Sequence, residues 1–144
     1  MENYIKPVEI RWSDLDPNFH LRHSVYYDYG AFCRISFLHD NGLPTHAIAE
    51  LEFGPILFRE EAVFRKEIRP WDQLTIDLRL IKSRKDFSRW SIQHQLVKNN
   101  GILAAVVTVD GAWMNTAERK LATPPAKISQ VFDLMPKSED FAWL

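Results

Sequence analysis

Apolar positions along this chain follow two periods, one of them confined to a single segment. From Ser24 onward, Val25, Tyr26, Tyr29, Phe32, Cys33, Phe37 and Leu38 recur mostly three and four residues apart, the period of a helix. Ser24 is the natural N-cap, and Asn41-Gly42 is a C-cap signature. Tyr27, Ala31 and Ile35 fill much of the remaining circumference, so the helix is expected to be enclosed rather than laid on a surface.

Elsewhere the period is two. Residues 4–13 mix Tyr, Ile and Val with charged residues and read as a first strand, with Pro7 suiting an edge. Residues 13–23 form an irregular polar segment. The apolar runs 47–53 and 56–68, divided by Gly54-Pro55, predict a bent or interrupted strand. Leu74, Ile76, Leu78 and Leu80 alternate with polar neighbours, as do Trp90, Ile92, His94 and Leu96, the pattern of half-buried strands. Asn99-Asn100-Gly101 marks a hairpin turn. Ile102 to Met114 is apolar enough for a central strand buried on both faces. Pro124-Pro125 precedes a short predicted helix over 126–134.

One strand, one enclosed helix and about four antiparallel strands predict an α+β fold. In it a long curved antiparallel sheet wraps around one central helix, because the inner face of such a sheet buries the helix. No repeat, low-complexity tract or linker interrupts residues 1–144, which read as a single domain.

Bulk composition narrows the function classes. Hydrophobic residues at 46% and charged ones at 26% are typical of a soluble globular protein. A formal net charge of −1 gives no electrostatic footprint for nucleic acid. No stretch is long enough to span a membrane, and the N-terminal MENYIKPVEIRW lacks the apolar core of a signal peptide. With a single cysteine, Cys33, no intrachain disulfide can form, and the cytoplasm is the expected compartment. Cys33 lies among apolar helix positions and reads as packing.

Candidate chemistry concentrates just ahead of the helix, where Asp14, Asp16, His20 and His23 fall within ten residues. Carboxylate and imidazole are general acid–base groups. The helix N-terminus behind them offers unpaired N–H groups and a positive dipole end to a developing oxyanion, so the combination suits hydrolysis. Neighbouring side chains on an extended segment point opposite ways, and Asp14 is read as structural. Asp16, followed by Pro17 and Asn18, is equally good turn chemistry. His20 has two readings, a partner of Asp16 or a loop imidazole bonded to a carbonyl. These four residues match no helix-based ligand spacing, so no metal is assigned. A Gly-x-Ser-x-Gly elbow is absent.

Residues 9–38 resemble the opening of the hotdog-fold acyl-CoA thioesterases, the 4-hydroxybenzoyl-CoA thioesterase group. The matching features are an apolar strand ending in Arg11-Trp12, the Asp-x-Asp at 14–16, then Val25, Tyr26, Tyr27 and Tyr29, and Arg34 near Phe37-Leu38. A weaker likeness runs from Phe64 to Asp72 and returns at Ala104 to Trp113 and around Pro124. The resemblance implies a hotdog fold and cofactor-free hydrolysis of an acyl-CoA thioester. It also implies a homodimer or homotetramer with active sites at the subunit interface. Asp16 then corresponds to the general base or nucleophile, the backbone N–H of His23 to the oxyanion donor, and His20 takes a supporting role.

Coenzyme A requires cations for its phosphates, and the loop Lys82, Arg84 and Lys85 is the preferred contact. Phe19 and Tyr26, with Trp12 and Tyr29, are candidates for an acyl pocket, core packing being their ordinary explanation. Many relatives read Gly-His-x-Asn-Asn where this chain reads Phe19-His20-Leu21-Arg22-His23. Ala31 and Phe32 stand where a helix carboxylate is often found, and Trp71 where Gly is usual. These departures keep a second reading open, a non-catalytic module that binds acyl-CoA or an acyl-carrier protein on the same scaffold.

Overall fold

The computed structural model describes residues 3–144. Its long helix, α1, runs Val25–Asp40. The end is set as expected: the Asn41 N–H reaches the Phe37 and Leu38 carbonyls, and Gly42 follows at φ +87°, a left-handed conformation glycine adopts without strain. The start differs from expectation. Ser24 has helical backbone angles and makes no side-chain cap bond. Its Oγ instead accepts the Arg22 Nε–H at 2.8 Å, which leaves the helix without a side-chain cap.

Around α1 curls an antiparallel sheet of β1 (Tyr4–Val8), β2 (Phe53–Phe64), β3 (Leu74–Ser83), β4 (Arg89–Lys98) and β5 (Ile102–Asn115), in the order β1-β3-β4-β5-β2. A two-residue β6 (Lys120–Leu121) extends β5, and β7 (Lys137–Trp143) runs parallel to β3, sharing its outer edge with β1. Two short helices, α2 (Thr45–Glu50) and α3 (Ala126–Asp133), flank this layer. Val25, Cys33 and Phe37 of α1 are buried with Leu78, Leu80, Ile92, Leu96, Val107 and Val109 of the sheet. Each large apolar side chain so enclosed contributes about 1.5–3 kcal/mol. This is the curved antiparallel sheet around one long helix that the pattern predicted.

Several details depart from the sequence reading. The first strand stops at Val8, and residues Trp12–Asp14 form a single 3₁₀ turn. Within 47–53 the chain is mostly helix α2, preceded by Pro44 in extended conformation. Strand β2 then passes through Gly54-Pro55 unbroken and ends at Phe64. Pro55 is tolerated because β2 is an edge strand with only β5 beside it. Strand β5 lies inside the sheet between β4 and β2, as expected, but is not buried on both faces: buried Ala105, Val107 and Val109 alternate with half-buried Val106, Thr108 and Asp110. Strand β7 was invisible to a search for alternation because Lys137-Ser138-Glu139-Asp140 is polar throughout. Finally α1 is not fully enclosed: Phe32 is 71% and Ile35 48% exposed.

A polar thread pins α1 over the sheet. A Cβ added at Gly30 would come 3.1 Å from His94 Cδ2, so glycine permits the close approach. His94 Nδ1–H donates to the Asp77 carbonyl at 2.8 Å, and its Nε2 accepts from Arg34 Nη1 at 2.9 Å. Burial, then the Arg34 charge, pushes the imidazole pKa down to about 3. Between the Ile76–Leu96 and Arg79–Gln93 pairs of the β3–β4 ladder, the Asp77 carboxylate accepts the Gln95 N–H at 2.6 Å and pairs with Arg79.

Candidate active site

The segment between β1 and α1 is held by a buried carboxylate. Asp14 Oδ2 accepts the Arg11 backbone N–H at 3.0 Å and the Tyr29 O–H at 2.9 Å, while Oδ1 accepts Arg11 Nη2 at 2.9 Å. The Asp14 carbonyl also takes the Arg22 N–H at 2.7 Å. Burial alone would raise its pKa, but the bonds from Arg11 and Tyr29 outweigh it and leave the carboxyl below its ordinary value. Asp14 is therefore an anchor, in line with its structural reading.

Two residues on, the environment inverts. A bridge between Leu15 and Leu21 closes the loop 16–20, in which the Asp16 N–H reaches the His20 carbonyl at 2.8 Å and the Phe19 N–H reaches the Asp16 carbonyl at 3.0 Å. Asp16 Oδ1 accepts the backbone N–H groups of Asn18 at 2.8 Å and His20 at 3.1 Å. Its Oδ2 has no hydrogen-bond partner among the described residues. Tyr26, in the first turn of α1, has its phenol pKa pushed up to about 12 by burial and then by the Asp16 charge. The Tyr26 ring packs edge-on against Phe64 of β2 at 4.9 Å.

The loop docks through Leu21, whose N–H donates to the Ile68 carbonyl at 2.8 Å. His20 Nε2 lies 3.1 Å from Glu67 Oε2, so the ring meets a carboxylate rather than the backbone carbonyl of the second reading. Its hydrogen bonds with Asp16 run through the backbone, its N–H to Oδ1 and its carbonyl from the Asp16 N–H. Glu67 had no signal in the sequence, because its relation to His20 exists only once the β2–β3 connection packs on the loop. His23 is exposed, and its backbone N–H has no hydrogen-bond partner among the described residues. Arg22 stiffens this turn, donating Nη1–H to the Ser13 carbonyl at 2.7 Å. A free carboxylate oxygen, an unpaired N–H and the positive end of a 16-residue helix thus share one corner of the molecule.

The other predicted contacts are scattered. Phe19 is exposed in the loop at φ +60°. Lys82, Arg84 and Lys85 are exposed at the β3–β4 hairpin. Strand β3 has ten residues, so this hairpin is roughly 30 Å from the β3 end nearest the loop. Arg65 and Lys66 lie nearer, exposed on the connection that receives Leu21, and have no acidic partner within 4 Å among the described residues. Asp14, Asp16, His20 and His23 do not converge as a ligand set, and no such cluster occurs among the described residues. Cys33 is buried, its thiol pKa pushed up to about 12 by burial, which removes it as a nucleophile. No helix among the described residues is long and apolar enough to cross a membrane.

The fold agrees with what the chain is similar to. Residues 10–132 match the family model of the thioesterase-like superfamily. Among solved structures, a hypothetical protein from Staphylococcus aureus in complex with CoA, SAV2348, aligns with a TM-score of 0.83 at 18% identity, over 95% of this chain and 88% of that one. A 1,4-dihydroxy-2-naphthoyl-CoA thioesterase from Synechocystis aligns at 0.82 and 15% identity, over 92% and 97% of the two chains. A DHNA-CoA thioesterase from Staphylococcus aureus aligns at 0.76 and 14%, over 85% and 81%. Identities this low speak for the fold alone. No curated protein matches the sequence.

Proposed function

The chain belongs to the thioesterase-like superfamily, and from that premise we propose that it hydrolyses an acyl-CoA thioester without a cofactor. One observation carries the reading: Asp16 Oδ2 is free, and so is the N–H of His23, two residues ahead of the helix start at Val25. The thioester carbonyl oxygen sits on the His23 N–H, where the helix dipole favours the charge that develops as the carbonyl is attacked. Asp16 Oδ2 attacks the carbonyl carbon itself or takes the proton of an attacking water. His20 supports this from its backbone, holding Oδ1 so that Oδ2 faces out.

The active unit is a homodimer. Strand β2 leaves one edge unpaired along twelve residues and exposes Leu57, Phe58, Val63 and Phe64. A long apolar edge of this kind is a template for another strand, and the uncovered Phe32 and Ile35 of α1 extend the same apolar surface. Two copies joined antiparallel through β2 about a two-fold axis cover both. That pairing brings the Gly54 end of one β2 beside the Phe64 end of the other. The hairpin Lys82, Arg84 and Lys85 of one copy then lies at the same end of the dimer as Asp16 of the second. In this arrangement the cationic loop serves coenzyme A phosphates across the axis, although it is remote within one chain.

Thiol release from a panel of acyl-CoAs, wild type beside Asp16→Asn, tests the assignment. Turnover lost in the variant, with fold and oligomer intact, is the expected result; an undiminished rate sinks the role of Asp16. A second reading, binding without hydrolysis, is favoured by the two backbone bonds on Asp16 Oδ1, which suit a turn brace. Calorimetric binding of acyl-CoA with no thiol release would select it.

A further inference from the structure

The loop that carries Asp16 is tied to the rest of the chain at few polar points. Residue 20 makes two backbone bonds with the acid: its N–H reaches Asp16 Oδ1 at 3.1 Å, and its carbonyl accepts the Asp16 N–H at 2.8 Å. Whatever fixes residue 20 therefore fixes the carboxylate. Among the described residues, the one polar contact that a side chain of loop 16–20 makes outside the loop is His20 Nε2 with Glu67 Oε2, at 3.1 Å. The next residue docks beside it, the Leu21 N–H donating to the Ile68 carbonyl at 2.8 Å. Residues 20 and 21 thus meet 67 and 68 at two successive points, one between side chains and one between backbones.

Glu67 is itself held. Its Oε1 accepts Arg69 Nη2 at 2.7 Å, and its carbonyl accepts Lys98 Nζ at 2.7 Å. Lys98, the last residue of β4, also lies 3.4 Å from Asp72, which accepts the Arg69 N–H and Asn99 Nδ2, both at 2.8 Å. The Lys98 and Asp72 side chains are each only 14% exposed, so this anchor is shielded from water and costly to break. The Arg69 bond, then the His20 ring, hold the Glu67 carboxyl below its ordinary value, so it meets the ring as an anion. A continuous line of contacts runs from the β4–β5 turn through Glu67 and His20 to Asp16. We propose that Glu67 is a positioning residue: through the His20 ring it holds residue 20 against Asp16, keeping Oδ1 occupied and Oδ2 presented to substrate. This rests on the thioesterase reading of Asp16 and adds to it a residue that acts only through another.

Thiol release is compared in wild type, Asp16→Asn, Glu67→Ala, Glu67→Gln, His20→Ala and the double variant Glu67→Ala/His20→Ala. The Glu67 side chain is exposed, so its removal should leave the thermal midpoint near that of wild type. For Glu67→Ala, kcat is expected to fall by about 3–10-fold with KM unchanged, because a displaced reacting group is felt in the attack and not in binding. Glu67→Gln keeps an acceptor for the ring without the charge and should restore part of that loss. The double variant should lose no more than His20→Ala, since both act through one contact. A wild-type kcat in Glu67→Ala, or losses that multiply in the double variant, overturns the positioning role, while turnover lost in Asp16→Asn keeps the thioesterase reading. Hydrogen exchange at the His20 amide reads the clamp without turnover. Should wild type release no thiol, or Asp16→Asn release it undiminished, the thioesterase reading fails; exchange quickened in Glu67→Ala then still supports the clamp, and unchanged exchange removes both.

Discussion

The two ends of α1 solve opposite problems. At its N-terminal end a polar strap is fastened by hydrogen bonds that Asp14 accepts from Arg11 and Tyr29 and Asp16 accepts from Asn18 and His20. At its C-terminal half, fit is set by aromatic shape, with Trp90, Trp113 and Phe132 against each other and Trp90 over a glycine. The first end presents a charge and a donor; the second presents a volume. The two ends are separated by most of the 16-residue helix, roughly 20 Å, so within one chain each is shaped by its own set of neighbours.

The largest effects should separate the two aspartates at the strap. Asp16→Asn preserves an oxygen for the Asn18 and His20 N–H groups, so stability stays within about 0.5 kcal/mol while thiol release falls by about 10²–10⁴-fold. Asp14→Ala strips the anchor from the Arg11 N–H and the Tyr29 hydroxyl and should cost about 2–4 kcal/mol in urea unfolding. If Asp14→Ala proves neutral to stability, or Asp16→Asn unfolds the protein, the division of labour is reversed. At the other end Gly111→Ala should cost about 2–3 kcal/mol, since the new methyl meets backbone as well as a ring. Gly54→Ala, whose Cβ would meet only the Thr116 methyl at 3.4 Å, serves as its control.

The same two ends differ in how far the sequence exposed them. The strap was legible because its chemistry is contiguous: Asp14, Asp16, His20 and His23 precede an obvious helix, and the family resemblance lies there. Fold class was legible too, since Leu74 to Leu80 and Trp90 to Leu96 alternate cleanly and α1 repeats at helical spacing. The hollow beside the Trp90, Trp113 and Phe132 rings was not. Its lining comes from α1, β2, β4, β5 and α3, and nothing in the order of the residues says that Ala31 and Trp113 share a wall. Glu67 escaped for the same reason, as did β7, whose polar residues pair along the outer edge of β3 and bury no alternating face. Ser24 misled in a smaller way: the expected cap gave its hydroxyl to Arg22, and an uncapped start is what an anion site requires.

Between the two ends lies His94, whose pH response tests the thread that ties α1 to the sheet. Its folded pKa of about 3 lies below the ordinary histidine value of 6.5. Above pH 6.5 both folded and unfolded chains hold it neutral, and its contribution to stability is full. Below that the unfolded chain takes up a proton the folded one refuses, so stability falls progressively from pH 6.5 toward pH 3, by up to a few kcal/mol. Urea midpoints measured across that window should decline in wild type and flatten in His94→Gln. Equal slopes in the two proteins would mean the ring is not held neutral by its place between Arg34 and Asp77.

The smallest expected effect bears on the strap itself. Phe19 holds φ +60° while 61% exposed, a conformation in which a side chain of its size is strained and asparagine is at ease. Phe19→Asn should therefore stabilise the protein by about 0.5–1 kcal/mol, and it keeps the unfolded chain stiffer than the glycine of many relatives would. On the function proposed above, that strain would be offset by an aromatic contact between Phe19 and substrate, which the same variant tests. The variant should gain in thermal midpoint and lose in KM, with kcat little changed, because the free carboxylate oxygen and the His23 N–H are untouched. A gain in stability with KM unaltered would remove Phe19 from the substrate contacts and leave its backbone turn as its only role.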